Sequence, residues 1–233
     1  MNLLNLYKLL YTYKNPLYGG KKRCSRGSRR DPITQKCMLT KTEQNKKNKI
    51  LENAGVYAPP KYFEGLNAEQ TKKRLKRIKE GSKTRSDDKN AYREFETDYD
   101  ESGNRIQTKL SGYTKQWKKH FPNANSLEEK SKVTGVPMKN IQKVYDKGLA
   151  AWRTGHRPGA NPQQWGYARV HSFLVKGKTF YTADRAQALD AIKTSKNAKK
   201  WFDSVNGLCD TSKNRKKYDW CKKSCNHSKL LCT

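Results

Sequence analysis

Amphipathic helix patterns run from about Gly112 to about Phe202. Apolar residues recur there every three or four positions, which is the spacing of one helix face. Turn signals interrupt the pattern at Pro122, Gly135, 155–162 and Gly177. A chain that alternates such segments with short turns is typical of a mainly α fold. We therefore expect a small helical domain over residues 112–202, with little strand.

Within this domain, residues 126–145 have the pattern of a helix-turn-helix. Ser126 and Glu129 stand three residues apart, as in a capping box that begins a helix. Gly135 supplies the turn, and Val136 is placed to fill the space between the helices. The second helix repeats apolar residues on its inner face: Ile141, Val144 and Tyr145. The sequence therefore predicts two short helices joined by a tight turn.

If the second helix of this motif enters a DNA major groove, residues near its start would contact the bases. These residues are Lys139, Asn140, Gln142 and Lys143. Further along the chain, Arg153 and Arg157 offer more positive charge to an anion. Two other interpretations stay open: phosphate contact without sequence preference, and a helix pair that packs economically and never touches DNA.

The segment 152–173 is rich in glycine, proline and tryptophan. Its glycines and prolines end one helix and turn the chain back, and Asn161 followed by Pro162 is a favourable helix start. Three residues are assigned structural roles: Trp152, Trp165 and Arg169. We expect Trp152 to pack beside the inner face of the preceding helix, and we expect Trp165→Ala to cost about 3–5 kcal/mol of stability. Arg169 shares a helical stripe with Trp165, which suits stacking on a ring or binding an anion.

Before the helical domain the chain has less apolar sequence. Residues 21–65 are rich in Lys, Asn, Gly and Pro, and are predicted to be a basic linker with local turns. A lysine-rich helix is predicted from Asn67, its cap, to Glu80. Because this helix has little apolar surface, we expect it to be solvated. An acidic hairpin is expected to follow, with strands around 93–97 and 105–109.

The beginning of the chain predicts an amphipathic arm. Apolar residues share one helix face there: Leu3, Leu6, Tyr7 and Leu10. We expect this face to dock on a neighbouring chain; a membrane surface and an ordinary first core helix are the alternatives. The segment lacks the features of a signal peptide and is too short and interrupted to span a bilayer.

The predicted layout has five parts. They are an N-terminal docking arm (1–20), a basic linker with a Cys24/Cys37 turn module (21–65), a basic helix with an acidic hairpin (66–111), a helical domain with the helix-turn-helix (112–202), and a cysteine-rich tail (203–233). The fold class is thus mainly α, with extended basic arms and a short tail flanking one small helical domain.

The chain is strongly basic over nearly its whole length. It contains 51 Lys and Arg against 21 Asp and Glu, which gives a formal net charge of +30. Only 33% of its residues are hydrophobic, and this favours one or two small cores over one large core. Such a charge calls for an anionic partner, among which nucleic acid ranks first and acidic protein second.

The six cysteines lie near the two ends of the chain. Cys24 and Cys37 form one group, and the other group is Cys209, Cys221, Cys225 and Cys232. Even numbers favour local disulfides, which stabilise modules too small to have a core, and we expect Cys24 to pair with Cys37. A zinc site with Cys221, Cys225, His227 and either Cys209 or Cys232 stays open, as do free thiols.

Nothing in the sequence favours catalysis. Arg153, Arg157 and Arg169 offer cations, but no Ser, Cys or carboxylate stands beside His156 in its motif to complete a nucleophile or an acid–base pair. We therefore expect no enzymatic activity and no cofactor. A His156→Ala change is expected to leave the fold intact.

Through the segment 152–173, residues 112–189 resemble an uncharacterised domain that recurs in large DNA viruses of algae and protists. Pro59 to Leu66 and Cys24 to Cys37 also resemble short modules of such viral proteins. The resemblance implies a minor capsid component of a large icosahedral virion, present in the virion and, during assembly, in the host cytoplasm. Its implied partners are major and other minor capsid proteins, with genomic DNA or acidic protein surfaces contacted non-specifically. The alternative is a DNA-binding helix-turn-helix protein that acts in viral genome packaging or regulation.

Overall fold

The structure is a computed structural model that describes residues 23, 24 and 26–227, with 225–227 described by their backbone alone. It is mainly helical, as predicted. The α-helices are α1 (Lys41–Glu52), α2 (Ala68–Lys83), α3 (Gly112–His120), α4 (Leu127–Thr134), α5 (Met138–Trp152), α6 (Pro162–Leu174), α7 (Lys178–Tyr181), α8 (Arg185–Thr194), α9 (Lys196–Ser204), α10 (Ser212–Lys217) and α11 (Asp219–His227). The arm expected over residues 1–20 lies outside the described residues.

A small antiparallel hairpin precedes the helices. It pairs β1 (Ser28–Arg30) with β2 (Cys37–Leu39), and Arg29 lies opposite Met38. Among the described helices, none combines the length and the apolar character that crossing a membrane requires.

Helix starts follow the local sequence. The predicted capping box of Ser126 and Glu129 forms at the start of α4, and the predicted caps Asn161 and Asn67 also form boxes, with Gln164 at the start of α6 and with Gln70 at the start of α2. In each box the cap side chain accepts from the backbone N–H three residues later, and the third residue's side chain accepts from the cap N–H. These contacts lie within four residues of sequence, which is why the sequence predicts them well.

The main core lies among α3 to α9. Its fully buried side chains include Trp117, Val136, Ile141, Val144, Phe173 and Phe180. Helices α5 and α6 cross closely at a pair of glycines, since a Cβ added to Gly148 would lie 2.6 Å from the Cα of Gly166. The two helices predicted around Gly135 are present, with Gly135 in the left-handed conformation (φ 67°) that ends α4.

A second buried cluster lies in the N-terminal half, where the sequence predicted a linker and a solvated helix. Its buried members are Ala54, Tyr62, Phe63, Leu66, Leu75, Ile78, Phe95 and Trp152. The prediction of a solvated α2 is wrong, because the apolar partners of Leu75 and Ile78 come from distant parts of the chain. The prediction of a linker over 21–65 is also wrong, since this region forms the hairpin, α1 and a 3-10 turn (Pro60–Phe63).

The acidic hairpin takes another form. The described residues between 89 and 109 form two 3-10 turns (Lys89–Tyr92 and Glu96–Asp98) and one isolated bridge between Tyr99 and Arg105. Two regular strands do not form here, because the chain turns at Asp98 to place that carboxylate in the protein interior.

Disulfides close both ends of the described chain. Cys24 is bonded to Cys37, as predicted, and Cys209 is bonded to Cys221. The side chain of Cys225 and all of Cys232 lie outside the described residues. The zinc alternative used Cys221 as a thiolate ligand, which the Cys209–Cys221 bond excludes.

Candidate functional site

A wide groove lies between α1 and α2, with a volume of about 1280 Å³. Seven basic residues line it: Arg26, Lys46, Lys49, Lys72, Lys76, Lys79 and Lys83. We call this surface the lysine groove. Its floor is aliphatic: Ile50 is half-buried there, and Ala54 and Leu75 lie beneath it as buried members of the second cluster. The groove therefore joins seven basic side chains to a small aliphatic patch around Ile50.

The helical repeat places the lysines of α2 on the groove. Lys72, Lys76, Lys79 and Lys83 follow each other at intervals of four, three and four residues, so they share one side of α2. The inward side of the same helix holds Arg74 and Ile78, both buried. Packing of the inward side therefore fixes the direction in which the four lysines point.

The lysines of the groove are available to an anion. Within the described part of the chain, none of the six forms a salt bridge, and all six are exposed. Three carboxylates also line the groove: Glu43, Glu69 and Glu80. Glu43 accepts a hydrogen bond from the backbone N–H of Ala68 at 2.7 Å, so it caps the start of α2. Seven cations against three carboxylates leave the groove positive.

Behind the groove, α2 is held by a buried ionic cluster. The guanidinium of Arg74 donates to Oδ1 of Asp98 at 3.0 Å and to the carbonyl oxygen of His156 at 2.8 Å. The His156 ring places Nε2 at 2.7 Å from Oδ2 of Asp98 and Nδ1 at 2.9 Å from the carbonyl oxygen of Trp152. Gly159 N–H donates to Asp98 as well, at 3.0 Å. The cluster joins α2, the turn at Asp98 and the end of α5.

The electrostatics of this cluster suit a structural role. Burial acts to raise the pKa of Asp98, but the hydrogen bond from His156 and the charge of Arg74 hold it below its usual range. Burial lowers the pKa of His156, and the Asp98 carboxylate opposes this in part. All three side chains are fully buried, so no substrate reaches them. Sequence inspection missed the partner of His156 because Asp98 lies 58 residues earlier in the chain.

The residues predicted to contact DNA bases do not form one free surface. Asn140 is 1% exposed, and its amide donates to Asp190 at 2.8 Å and to the carbonyl oxygen of Gln187. The prediction of Asn140 as a base contact is therefore wrong, because packing against α8 occupies this side of α5. Lys139 lies 3.4 Å from Asp190, and Gln142 donates to Asp146. Lys143 is exposed.

The two arginines predicted to meet an anion have different surroundings. The Arg153 guanidinium donates to the carbonyl oxygens of Gly81 and Thr84, so it caps the C-terminal end of α2. This contact contradicts a nucleic-acid role for Arg153, because the last turn of a helix has unpaired carbonyl groups that a cation satisfies. Arg157 is half-buried, and its charge acts on Lys61 and Glu64.

Two of the three predicted structural residues are placed differently from expectation. Trp152 is fully buried, but in the second cluster and not beside the inner face of α5. Trp165 is only partly buried against the same cluster. Arg169 binds an anion, as one of its two predicted roles required: its guanidinium holds the buried carboxylate of Asp184 through two nitrogens, at 2.9 and 2.8 Å.

In the described part of the chain, no three His, Cys, Asp or Glu side chains lie close enough together to hold a metal ion.

The sequence contained a signal for the lysine groove, namely the four-three-four spacing of lysines on α2. It contained none for the opposite wall, because α1 was predicted to be linker.

One family model matches the chain over residues 59–190, which is more than half of its length. It describes a family of unknown function, DUF5824. The matched region includes α2 and the buried cluster of Arg74, Asp98 and His156, and it leaves out α1. No curated protein and no solved structure matches the chain.

Proposed function

This chain belongs to the DUF5824 family, and we propose that it is a non-enzymatic scaffold protein whose lysine groove binds anionic surfaces of a larger assembly. The observation that supports this most is the set of six exposed lysines without a carboxylate partner among the described residues. Like charges held together repel each other, and an anionic partner relieves that repulsion. A bound partner would thus neutralise the excess positive charge that α1 and α2 present at the groove.

The buried ionic cluster supports the non-enzymatic part of the proposal. A carboxylate beside a histidine is a common acid–base arrangement in enzymes. Here, Asp98 and His156 are closed off from solvent and hold α2 to the end of α5. This pair thereby stabilises the wall of the lysine groove.

The assembly we propose is the virion of a large DNA virus, in which the protein would be a minor capsid component. The support for this setting is the sequence resemblance of residues 112–189 together with the net charge of +30. If purified particles are analysed by quantitative mass spectrometry, we expect the protein in a fixed ratio to the major capsid protein. If the protein is expressed in the infected cells but is absent from their particles, the proposed virion role is contradicted. This result would not test the proposal about the lysine groove.

The groove is tested by charge removal at matched sites. We compare Lys72→Gln/Lys76→Gln/Lys79→Gln/Lys83→Gln with a control of equal charge, Lys193→Gln/Lys196→Gln/Lys200→Gln/Lys213→Gln, whose lysines are exposed elsewhere. Polyglutamate and duplex DNA serve as probes, and affinity is measured over a range of salt. We expect the groove variant to lose at least about tenfold in affinity for its partner, and the control to lose much less.

The salt slope gives a second readout. For duplex DNA each phosphate contact contributes about 0.9 to the slope of log K against log salt, so loss of true contacts lowers the slope as well as the affinity. Equal losses in both variants would mean that net charge alone attracts the probe, which would contradict the proposed groove. Strong discrimination between DNA sequences would instead support regulation through α5.

A further inference from the structure

We infer that the occupant of the lysine groove is an acidic amphipathic helix of a partner protein. This inference rests on the proposed function, because it names the partner class of the same site. Its basis is the combination of an aliphatic floor, lysines at helical spacing, and a concave shape between two helices.

The size and lining of the groove favour a protein segment. Its volume of about 1280 Å³ exceeds the roughly 300–1,000 Å³ of ordinary small-molecule pockets. Single-stranded nucleic acid is held by aromatic rings on which bases stack, and the lining residues of this groove include no Phe, Tyr or Trp. The exposed part of Ile50 offers aliphatic contact, which a phosphate backbone does not use.

The charge pattern matches a helix. An α-helix rises about 1.5 Å per residue, and side chains three and four positions apart share a face. Lys72, Lys76, Lys79 and Lys83 have this repeat, so glutamates at the same intervals on a facing helix can meet them one for one. Glu69 and Glu80 lie among these lysines. They would repel a continuous row of phosphates, but a helix with an occasional lysine or arginine accommodates them.

The groove is also held rigid from behind. Arg74 and Ile78 anchor α2 in the interior, and Arg153 binds the carbonyl groups at its C-terminal end. Glu43 ties α1 to the start of α2 through the N–H of Ala68. Since both walls are fixed before binding, a helix that enters the groove does not have to order them. Helix-in-groove recognition of this kind uses one apolar stripe flanked by charges.

The test uses a synthetic helix of about 15 residues with glutamates at positions i, i+4, i+7 and i+11 beside a leucine stripe. Its control is a scrambled peptide of the same composition, which keeps the charge and loses the stripe. Duplex DNA is the third probe. We expect the patterned peptide to bind at least about tenfold more tightly than the scrambled one.

A floor variant separates this inference from the proposed function. Ile50→Gln keeps every charge and removes apolar surface from the groove, and its thermal unfolding is measured to check that the fold is retained. We expect it to weaken the patterned peptide about tenfold and to leave duplex DNA within about twofold. Lys49→Gln/Lys76→Gln, which keeps the floor, is expected to weaken both probes.

The outcomes are distinct. Equal binding of patterned and scrambled peptides, with Ile50→Gln unchanged, overturns the inference and leaves the proposed function standing. Tighter binding of duplex DNA through the same lysines overturns it too, and identifies nucleic acid as the occupant. If none of the three probes binds through the groove, the proposed function itself fails.

Discussion

Trp152 is the last residue of α5, and its side chain packs in the second cluster. Its ring stacks on His156, with centroids 4.3 Å apart, and meets the edge of Phe95 at 5.6 Å. Its indole N–H donates to the carbonyl oxygen of Ala160 at 2.6 Å. The side chain therefore fills the second core, satisfies a backbone carbonyl in the following loop and supports the ring that binds Asp98. Trp165, only partly buried, has fewer of these roles.

We expect Trp152→Ala to lower the free energy of unfolding by about 3–5 kcal/mol, because it leaves a cavity and an unpaired carbonyl group. Trp165→Ala should cost less than half of that. Chemical unfolding followed by far-ultraviolet circular dichroism measures both. A larger effect at Trp165 would contradict the placement of Trp152 as the more important packing residue.

His171 gives the protein a dependence on pH. It is 4% exposed, stacked between Trp117 and Tyr167, and burial together with the charges of Lys130 and Lys118 lowers its pKa to about 3. In the unfolded chain its pKa is near the ordinary value of 6.5. Between these values the unfolded state binds the proton and the folded state does not. Stability should therefore fall as the pH drops from 6.5 towards 3, by up to about 1.4 kcal/mol per pH unit from this residue.

The variant His171→Phe keeps a ring at this position and cannot bind a proton. We expect the free energy of unfolding of this variant to depend less steeply on pH between 6.5 and 4 than that of the unchanged protein. His120→Phe, at an exposed position, serves as the control and should leave the slope unchanged. Parallel slopes for all three proteins would contradict the lowered pKa, because they would show that His171 binds its proton equally well in the folded and unfolded states.

At the scale of elements, what the sequence predicts depends on how far apart the interacting residues are. The helix caps and Cys24–Cys37 were predicted because their partners lie close in sequence. The burial of α2 was not, because Arg74 binds Asp98 and His156, which lie 24 and 82 residues away. The burial of Asn140 was not predicted for the same reason, since its partner Asp190 lies 50 residues away. The lysine spacing of α2 can be read from the sequence. The second wall of the groove could not be predicted, because α1 was predicted to be linker.

The C-terminal helices are attached to the main core by a few contacts. Cys209–Cys221 links the chain before α10 to α11, and Ser224 Oγ donates to the carbonyl oxygen of Tyr181 at 2.6 Å. Trp220 packs beside the ring of Tyr181, with centroids 6.1 Å apart. The disulfide lies within the main core, since Cys209 and Cys221 are both fully buried, and it fixes α11 beside the chain that precedes α10.

We expect Cys209→Ser/Cys221→Ser to destabilise the attachment of α10 and α11 by about 3 kcal/mol, the value for a loop of this length. Hydrogen exchange of residues 210–224 should become faster, while exchange in α5 and α6 stays slow. The control, Cys24→Ser/Cys37→Ser, removes the other disulfide and should affect the hairpin alone. Unchanged exchange in 210–224 after loss of Cys209–Cys221 would mean that side-chain packing suffices to hold these helices.

At the scale of the whole molecule, two small cores support a surface with a formal net charge of +30. Some of the basic side chains bind partners within the fold. Arg74, Arg153 and Arg169 bind carboxylates or carbonyl groups of the same chain. The lysine groove differs, because its lysines are exposed and lack such partners among the described residues. Charge used inside the fold stabilises it, and charge concentrated at the groove is free to act on a partner.

The most direct measurement is lysine footprinting. An acetylating reagent is applied with and without saturating polyglutamate, and mass spectrometry reports the reactivity of each lysine. We expect strong protection in the groove, at Lys46, Lys49, Lys72, Lys76, Lys79 and Lys83. The exposed lysines elsewhere, Lys193, Lys196, Lys200 and Lys213, should keep their reactivity. Protection spread evenly over both sets would contradict the account, because it would show that the probe follows net charge and does not select the groove.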